Sequence, residues 1–135
     1  MIVYNVSDAT GKLAQYPHIA LAGVSTKTHK FGYKIFHFLK KAGYITYPIN
    51  PRYEDFEGEK CYHSVNELPQ NVKFLVIVTP ADQSFLLAQE AILRNFEIVW
   101  FQPGSFDERI YQLFENSPVD AVIGDCIMVD AQFIN

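Results

Sequence analysis

The stretch VKFLVIV, residues 72–78, decides the fold of this chain. Apolar residues fill six of its seven positions, which is typical of a strand buried on both faces of a parallel sheet. Shorter apolar runs predict further strands at Ile19–Val24 (IALAGV), Tyr44–Ile49 (YITYPI) and Glu97–Phe101 (EIVWF), and a fifth strand begins at Ala121–Ile123. We therefore expect a sheet of about five strands, built from buried rather than alternating segments.

Amphipathic segments lie between these runs. Apolar residues recur at helical spacing, which predicts helices over Phe31–Ala42, Ala81–Asn95 and Asp107–Asn116. A short helix is expected after Ser7 or Asp8, within an N-terminal lead-in of residues 1–18.

Strands that alternate with helices require right-handed crossovers and parallel pairing. The predicted architecture is a single α/β domain over residues 1–135, with a doubly wound, Rossmann-like parallel sheet and helices on both faces. From Pro51 to Asn71 the pattern weakens into loop and short-helix chemistry, with a capping box at Ser64–Glu67.

Composition and charge exclude several classes of protein. The chain has 135 residues, 49% of them hydrophobic and 19% charged, which is incompatible with intrinsic disorder. A net charge of -4 disfavours a broad nucleic-acid-binding surface. No signal-like or membrane-spanning apolar run occurs, so a cytoplasmic protein without membrane attachment is expected. The two cysteines, Cys61 and Cys126, form neither a disulfide framework nor a metal motif, and no metal site is predicted.

Ligands of doubly wound sheets bind beyond the carboxyl ends of the strands, where the strand order reverses. The first such end carries Gly23, Val24 and Ser25, followed by Lys27 and Lys30. Free amides and the dipole of the next helix would hold a phosphate there, and the lysines would add positive charge. The spacing matches neither of the common glycine-rich phosphate motifs. We predict a phosphate-binding loop, with a polar loop carrying solvated lysines as the alternative.

The second strand end is Asn50-Pro51-Arg52. A domain that binds NAD would place an acidic residue here for the ribose hydroxyls. Asparagine stands at that position and Arg52 follows, which disfavours NAD and allows a ligand with a phosphorylated ribose. A simple turn with a solvated arginine is the alternative.

The third and fourth strand ends add further candidates. Thr79 and Pro80 follow the third long run, where Thr79 either caps the next helix or faces the crevice. Gln102 and Gly104 follow EIVWF and are predicted to lie at the site, whereas Trp100 and Phe101 are assigned to the core.

These segments together resemble the small stand-alone CoA-binding proteins of the CoA-binding-domain family, which are related to the nucleotide-binding domain of the succinyl-CoA synthetase alpha subunit. The resemblance runs from Ile19 to Met128 and is carried by their order and spacing. Its marks are IALAGVS (19–25), KFGY (30–33), AGYITYPINP (42–51), SVNELP (64–69), VTP (78–80), VWFQPGS (99–105) and GDCIMVD (124–130).

The resemblance implies a Rossmann-like fold that binds coenzyme A. It places the pyrophosphate at the Gly23–Lys30 loop and the adenosine end near Asn50-Pro51-Arg52. It also implies wall contacts from Thr79, Pro80 and Gln102.

Three functional hypotheses remain open. The first is a domain that binds CoA or an acyl-CoA and has no catalytic residues of its own. The second is an NADP-binding oxidoreductase or a redox-responsive Rossmann protein. Cys126 leaves a separate alternative open, since it would either form a mixed disulfide with the thiol of bound CoA or remain buried and inert. The third is a protein-interaction module with a vestigial nucleotide pocket, and homodimerisation or an unknown protein partner is compatible with the sequence.

Overall fold

The computed structural model describes residues 1–130. Within them the chain forms five α-helices and seven strands. In chain order they are α1 (Val6–Gln15), β1 (His18–Ala22), α2 (Phe31–Lys41), β2 (Ile45–Ile49), β3 (Asp55–Phe56), β4 (Glu59–Lys60), β5 (Phe74–Ile77), α3 (Ala81–Leu93), β6 (Ile98–Phe101), α4 (Glu108–Phe114), β7 (Asp120–Ile123) and α5 (Ile127–Asp130). A 3-10 turn at Val65–Glu67 precedes β5.

The main sheet has the strand order β2-β1-β5-β6-β7, and every pair in it is parallel. The chain first moves from β1 outward to β2 and then returns past β1 to β5, so the order reverses between β1 and β5. This is the doubly wound arrangement in which a ligand crevice opens at the reversal point. The predicted α/β fold is confirmed.

Each face of the sheet has its own apolar layer. On one face, α1, α2 and α5 contribute Leu13, Phe36 and Ile127 to a cluster that lies over the sheet. On the other, α3 and α4 contribute Ala88 and Phe114 to a second cluster. Burial on both faces explains why the strands read as continuous apolar runs.

The observed strands are shorter than the apolar runs that predicted them. The first run extended to Val24, but β1 ends at Ala22 because Gly23 adopts a φ of 102° and turns the chain out of the sheet. The N-terminal helix begins at Val6, before the predicted start, because the side chain of Asn5 accepts a hydrogen bond from the Ser7 amide and caps it.

The segment predicted to be irregular contains a small hairpin, β3 paired with β4. Its two turn residues, Glu57 and Gly58, both have positive φ, as in the turn that suits a two-residue hairpin. Phe56 of β3 is buried and packs edge-on against Phe36 of α2, with ring centroids 4.8 Å apart. Two-residue strands are too short for a periodicity to reveal, so the sequence missed this element.

The predicted capping box at Ser64–Glu67 does not form, since Ser64 makes no side-chain cap and the Glu67 carboxylate instead accepts from the amide of His63.

Short bridges lie along both outer strands of the sheet. Ile49 of β2 bridges Tyr62, and Ala121 of β7 bridges Ile2. None of the helices within residues 1–130 has the length and apolar character needed to cross a bilayer.

Candidate functional site

A cavity of about 680 Å³ opens at the carboxyl ends of β1, β2 and β5, at the reversal point of the strand order. Its size is typical of small-molecule and cofactor sites. Ten of the twelve residues predicted for the site line it: Gly23, Val24, Ser25, Lys27, Lys30, Asn50, Pro51, Arg52, Thr79 and Pro80. The structure does not bring Gln102 and Gly104 to this cavity.

The loop between β1 and α2 forms one wall and is folded tightly. The amide of Gly23 donates to the carbonyl of Ile49 (3.0 Å), which fixes the loop to the end of β2. A side chain at Gly23 would meet Val78 and Thr79, and a Cβ at Gly32 would overlap the carbonyl oxygen of Gly23. The first turn of α2 therefore lies directly on the backbone of the loop, an approach that glycine alone permits.

Two helices begin at this cavity, and neither is capped by a side chain. Lys30 precedes α2 and Pro80 precedes α3, and no side chain of either residue accepts from the first-turn amides. In contrast, Asn5 caps α1 and Asp107 caps α4, away from the cavity. Uncapped first-turn amides and the positive ends of two helix dipoles make the cavity attractive to an anion.

Three cations line the same cavity. Lys27, Lys30 and Arg52 are exposed, and within residues 1–130 none of them pairs with a carboxylate. Elsewhere on the surface, Lys40 pairs with Glu59 and Arg109 with Asp82. The cavity thus concentrates positive charge in a chain whose net charge is negative.

Asn50 joins the ends of β1 and β2. Its Nδ2 donates to the carbonyl of Val24 (2.8 Å), and its Oδ1 accepts from the amide of Arg52 (2.8 Å). With both ends of the amide engaged by the backbone, Asn50 shapes the cavity and positions Arg52.

Thr79 is engaged in a similar way. Its hydroxyl lies 2.9 Å from that of the buried Ser84, which also lies within hydrogen-bonding distance of the Thr79 and Pro80 carbonyls. Thr79 therefore contributes to the start of α3 as well as to the cavity wall.

Tyr53 is a cavity residue that the sequence analysis missed. Its hydroxyl accepts from the amide of Thr26 at 3.4 Å, and hydrogen bonds from Thr26 lower the pKa of the phenol. Its ring stacks on Phe56 of the hairpin, with centroids 6.0 Å apart and planes 7° from parallel. Its stacking on the hairpin and its contact with Thr26 place the Tyr53 ring beside the β1–α2 loop, a position that no local signal in residues 51–71 indicates.

One face of α3 forms the opposite wall. Gln83, Leu86, Leu87 and Glu90 line the cavity at the spacing i, i+3, i+4, i+7. The sequence predicts this helix, and the same spacing is visible in it, but none of the four residues was among the predicted site residues. Leu86 and Leu93 are 63% and 82% exposed, because small residues such as Ala88 and Ala91 supply the face that packs on the sheet.

Gln102 lies instead between β6 and α5. It is 4% exposed, its Oε1 accepts from the amide of Ile127 (2.8 Å), and its Nε2 donates to the Sγ of Cys126 (3.4 Å). Gly104 is exposed in the turn that follows β6, with a φ of 86°. β6 is one strand further from the reversal point than β5, so its end faces the α5 side of the molecule. Cys126 is also absent from the cavity lining.

Of the four histidines, His63 alone lines the cavity in the described part of the chain. Its Nε2 lies 3.1 Å from the carbonyl oxygen of Tyr53 and 3.3 Å from Glu54. Residues 1–130 contain no group of three or more side chains arranged to hold a metal ion.

A doubly wound sheet with a cation-lined cavity at its reversal point is the arrangement of the nucleotide-binding class of α/β domains. The chain belongs to the CoA binding domain family, whose model matches residues 17–132.

Comparison with curated proteins identifies ADP-forming acetate–CoA ligases as relatives. The chain is 40% identical over 70 residues to the enzyme of Methanocaldococcus jannaschii, which covers 51% of this chain and 10% of the ligase. It is 43% identical over 63 residues to the alpha subunit of ligase II of Pyrococcus furiosus, covering 46% of this chain and 14% of the subunit. The match thus spans only about a tenth of these relatives.

Solved structures of similar size match over most of the chain. A conserved hypothetical protein from Pyrococcus furiosus is 40% identical with a TM-score of 0.81, covering 85% of this chain and 99% of that one. A hypothetical protein from Pyrococcus horikoshii is 25% identical with a TM-score of 0.85, covering 94% and 90%. The family model supports an association with CoA, and the solved structures show the same fold.

Proposed function

We propose that this domain binds coenzyme A or an acyl-CoA in the cavity at the ends of β1, β2 and β5, without catalytic residues of its own. The observation that carries the proposal is the meeting of two uncapped helix N-termini with three unpaired cations. CoA carries a pyrophosphate and a ribose phosphate, so it presents the anionic groups that such a cavity accepts.

The pyrophosphate is assigned to the Gly23–Lys30 loop and the first turn of α2. Lys27 and Lys30 stand on that loop and would pair with its charges. The adenosine end is assigned to Asn50-Pro51-Arg52, with Arg52 on the ribose phosphate, since Asn50 holds the Arg52 backbone beside the cavity. Thr79 and Pro80 would contact the ligand from the third strand end.

Binding without catalysis is proposed because the similarity to the ligases covers only a small part of those enzymes. A chain of this kind would hold CoA in the cytoplasm for a separate protein partner or release it on demand. An NADP-binding function remains the second candidate, because Arg52 and the absence of an acidic residue at the end of β2 suit a phosphorylated ribose as well.

Thermal unfolding of ligand-free protein in the presence of CoA, dephospho-CoA, NADP or NAD tests this proposal. A ligand at about a hundred times its Kd adds roughly 2.7 kcal/mol to the free energy of unfolding, which shifts the midpoint by several degrees. We expect a shift with CoA, a smaller one with dephospho-CoA and none with NAD. A shift with NADP alone would support the second candidate, and no shift with any ligand would reject both.

Lys30 and Lys41, at opposite ends of α2, provide a matched pair of variants. Lys30 precedes α2 at the cavity, and Lys41 lies at its far end, exposed and outside the cavity. Lys30→Ala is expected to lower the affinity for CoA about tenfold or more, because a hydrogen bond to a charged group contributes roughly 1.5–3 kcal/mol. Lys41→Ala removes the same charge and should leave the affinity unchanged. Equal affinities in the two variants would remove Lys30 from the site.

A further inference from the structure

The two walls of the cavity differ in polarity. The β1–α2 loop and the end of β2 carry Lys27, Lys30 and Arg52. The opposite wall includes Leu86 and Leu87 of α3. The cavity is therefore cationic at the β1–α2 side, whereas its α3 wall presents two leucines between Gln83 and Glu90.

Two of the large apolar side chains that line the cavity are exposed. Leu86 is 63% exposed, and Phe31, at the start of α2, is 61% exposed. Both line the cavity, together with Val78 and Pro80. An isolated exposed leucine is ordinary, but adjoining apolar side chains inside one concave site are the usual mark of an apolar ligand group.

Charge fixes which end of a ligand meets which wall. Glu90 lies on α3 one turn beyond Leu86 and Leu87, and its carboxylate accepts from the amide of Val65 (3.0 Å). A phosphate beside Glu90 would be repelled, whereas the lysines of the facing loop attract it. A bound ligand thus directs its anionic end to the loop and its uncharged end to α3.

We infer that Leu86 and Leu87 of the α3 wall, together with Phe31 at the start of α2, receive the acyl chain of a CoA thioester, and that the preferred ligands carry apolar chains longer than acetyl. The inference rests on the proposed CoA site and adds to it the class of acyl group. An acyl-CoA is anionic at its nucleotide end and apolar at its acyl end, which matches the two walls of this cavity.

Calorimetric titration of the wild-type domain with CoA, acetyl-CoA, hexanoyl-CoA and octanoyl-CoA tests the inference. Each fully buried methylene raises affinity by about fourfold, so burial of two or three gives roughly a 15- to 60-fold gain from acetyl to octanoyl. We expect affinity to rise with chain length in this series. Binding of CoA with no gain from the longer chains would overturn the inference and leave the proposed CoA site standing. If neither CoA nor any thioester binds, both are overturned.

Leucines one heptad apart on α3 supply the control. Leu86 lines the cavity, and Leu93 is 82% exposed and lies outside it. Leu86→Ser should reduce the gain between acetyl-CoA and octanoyl-CoA, measured as the ratio of the two affinities within that variant, to a few-fold. Leu93→Ser makes the same chemical change and should retain the full gain. Both side chains are exposed, so the two variants should fold, which their unliganded midpoints check. An equal gain in both variants would overturn the assignment to the α3 wall.

Discussion

Gly32, in the first turn of α2, lies against the carbonyl of Gly23 at the end of β1, so closely that a Cβ at Gly32 would overlap that oxygen. This contact sets the distance between the helix N-terminus and the strand end, and hence the shape of the loop between them. The loop supplies one whole wall of the cavity.

Gly32→Ala is expected to lower the free energy of unfolding by about 1–3 kcal/mol, because the backbone must move to admit the methyl group. The substitution should also lower the affinity for CoA, since the displaced loop includes Lys27 and Lys30. Chemical denaturation and calorimetry measure the two effects. Gly11→Ala, in α1 where a Cβ meets nothing within 4 Å, should instead stabilise by roughly 0.5–1 kcal/mol. Similar behaviour of the two variants would contradict the close approach.

Arg52 is assigned to the ribose phosphate, and its test uses a ligand that lacks this group. Arg52→Ala should lower the affinity for CoA about tenfold and leave the affinity for dephospho-CoA unchanged, because only CoA carries the ribose phosphate. The loss should shrink as salt is added, since Arg52 is exposed. An equal loss for both ligands would place Arg52 elsewhere on the ligand.

A substitution at Gln102 tests whether this residue stabilises the fold or binds the ligand. Gln102→Ala leaves the buried amide of Ile127 without its acceptor, which should lower the free energy of unfolding by about 1–3 kcal/mol. The affinity for CoA should not change, because Gln102 is not part of the cavity wall. Denaturation and titration of one preparation measure both. A severalfold loss of affinity for CoA would instead show that Gln102 takes part in ligand binding.

The buried thiol of Cys61 is expected to make the stability of the protein depend on pH. It is 3% exposed, and burial raises the pKa of its thiol above the ordinary value of 9.0. The folded state then holds this proton more tightly than the unfolded state. The contribution of the thiol to the free energy of unfolding is therefore complete below pH 9 and is lost as the pH rises through the pKa of the folded state.

We therefore expect the free energy of unfolding to fall above pH 9, and to fall less steeply in Cys61→Ala. Burial also raises the pKa of Tyr44 and Tyr47, which act in the same direction. The difference between the wild type and the variant isolates the thiol, and parallel curves would refute its role.

The sequence by itself determined the elements and the fold class. Strands buried on both faces are apolar at nearly every position, so β1, β5 and β6 are visible as runs without any knowledge of their neighbours. Alternation with helices then dictates parallel pairing, and parallel pairing places every strand's carboxyl end at one edge of the sheet. For that reason the residues after β1, β2 and β5 could be predicted as site candidates, and they do line one cavity.

Only the tertiary structure decided which strand ends share that cavity. Strand order depends on contacts between segments far apart in the chain, and local periodicity carries no record of them. The order β2-β1-β5-β6-β7 brings Asn50 to the carbonyl of Val24 and turns Gln102 toward Ile127. The same packing places Tyr53 beside the β1–α2 loop and leaves Leu86 facing the cavity, because each position depends on a neighbouring element that the local sequence does not specify.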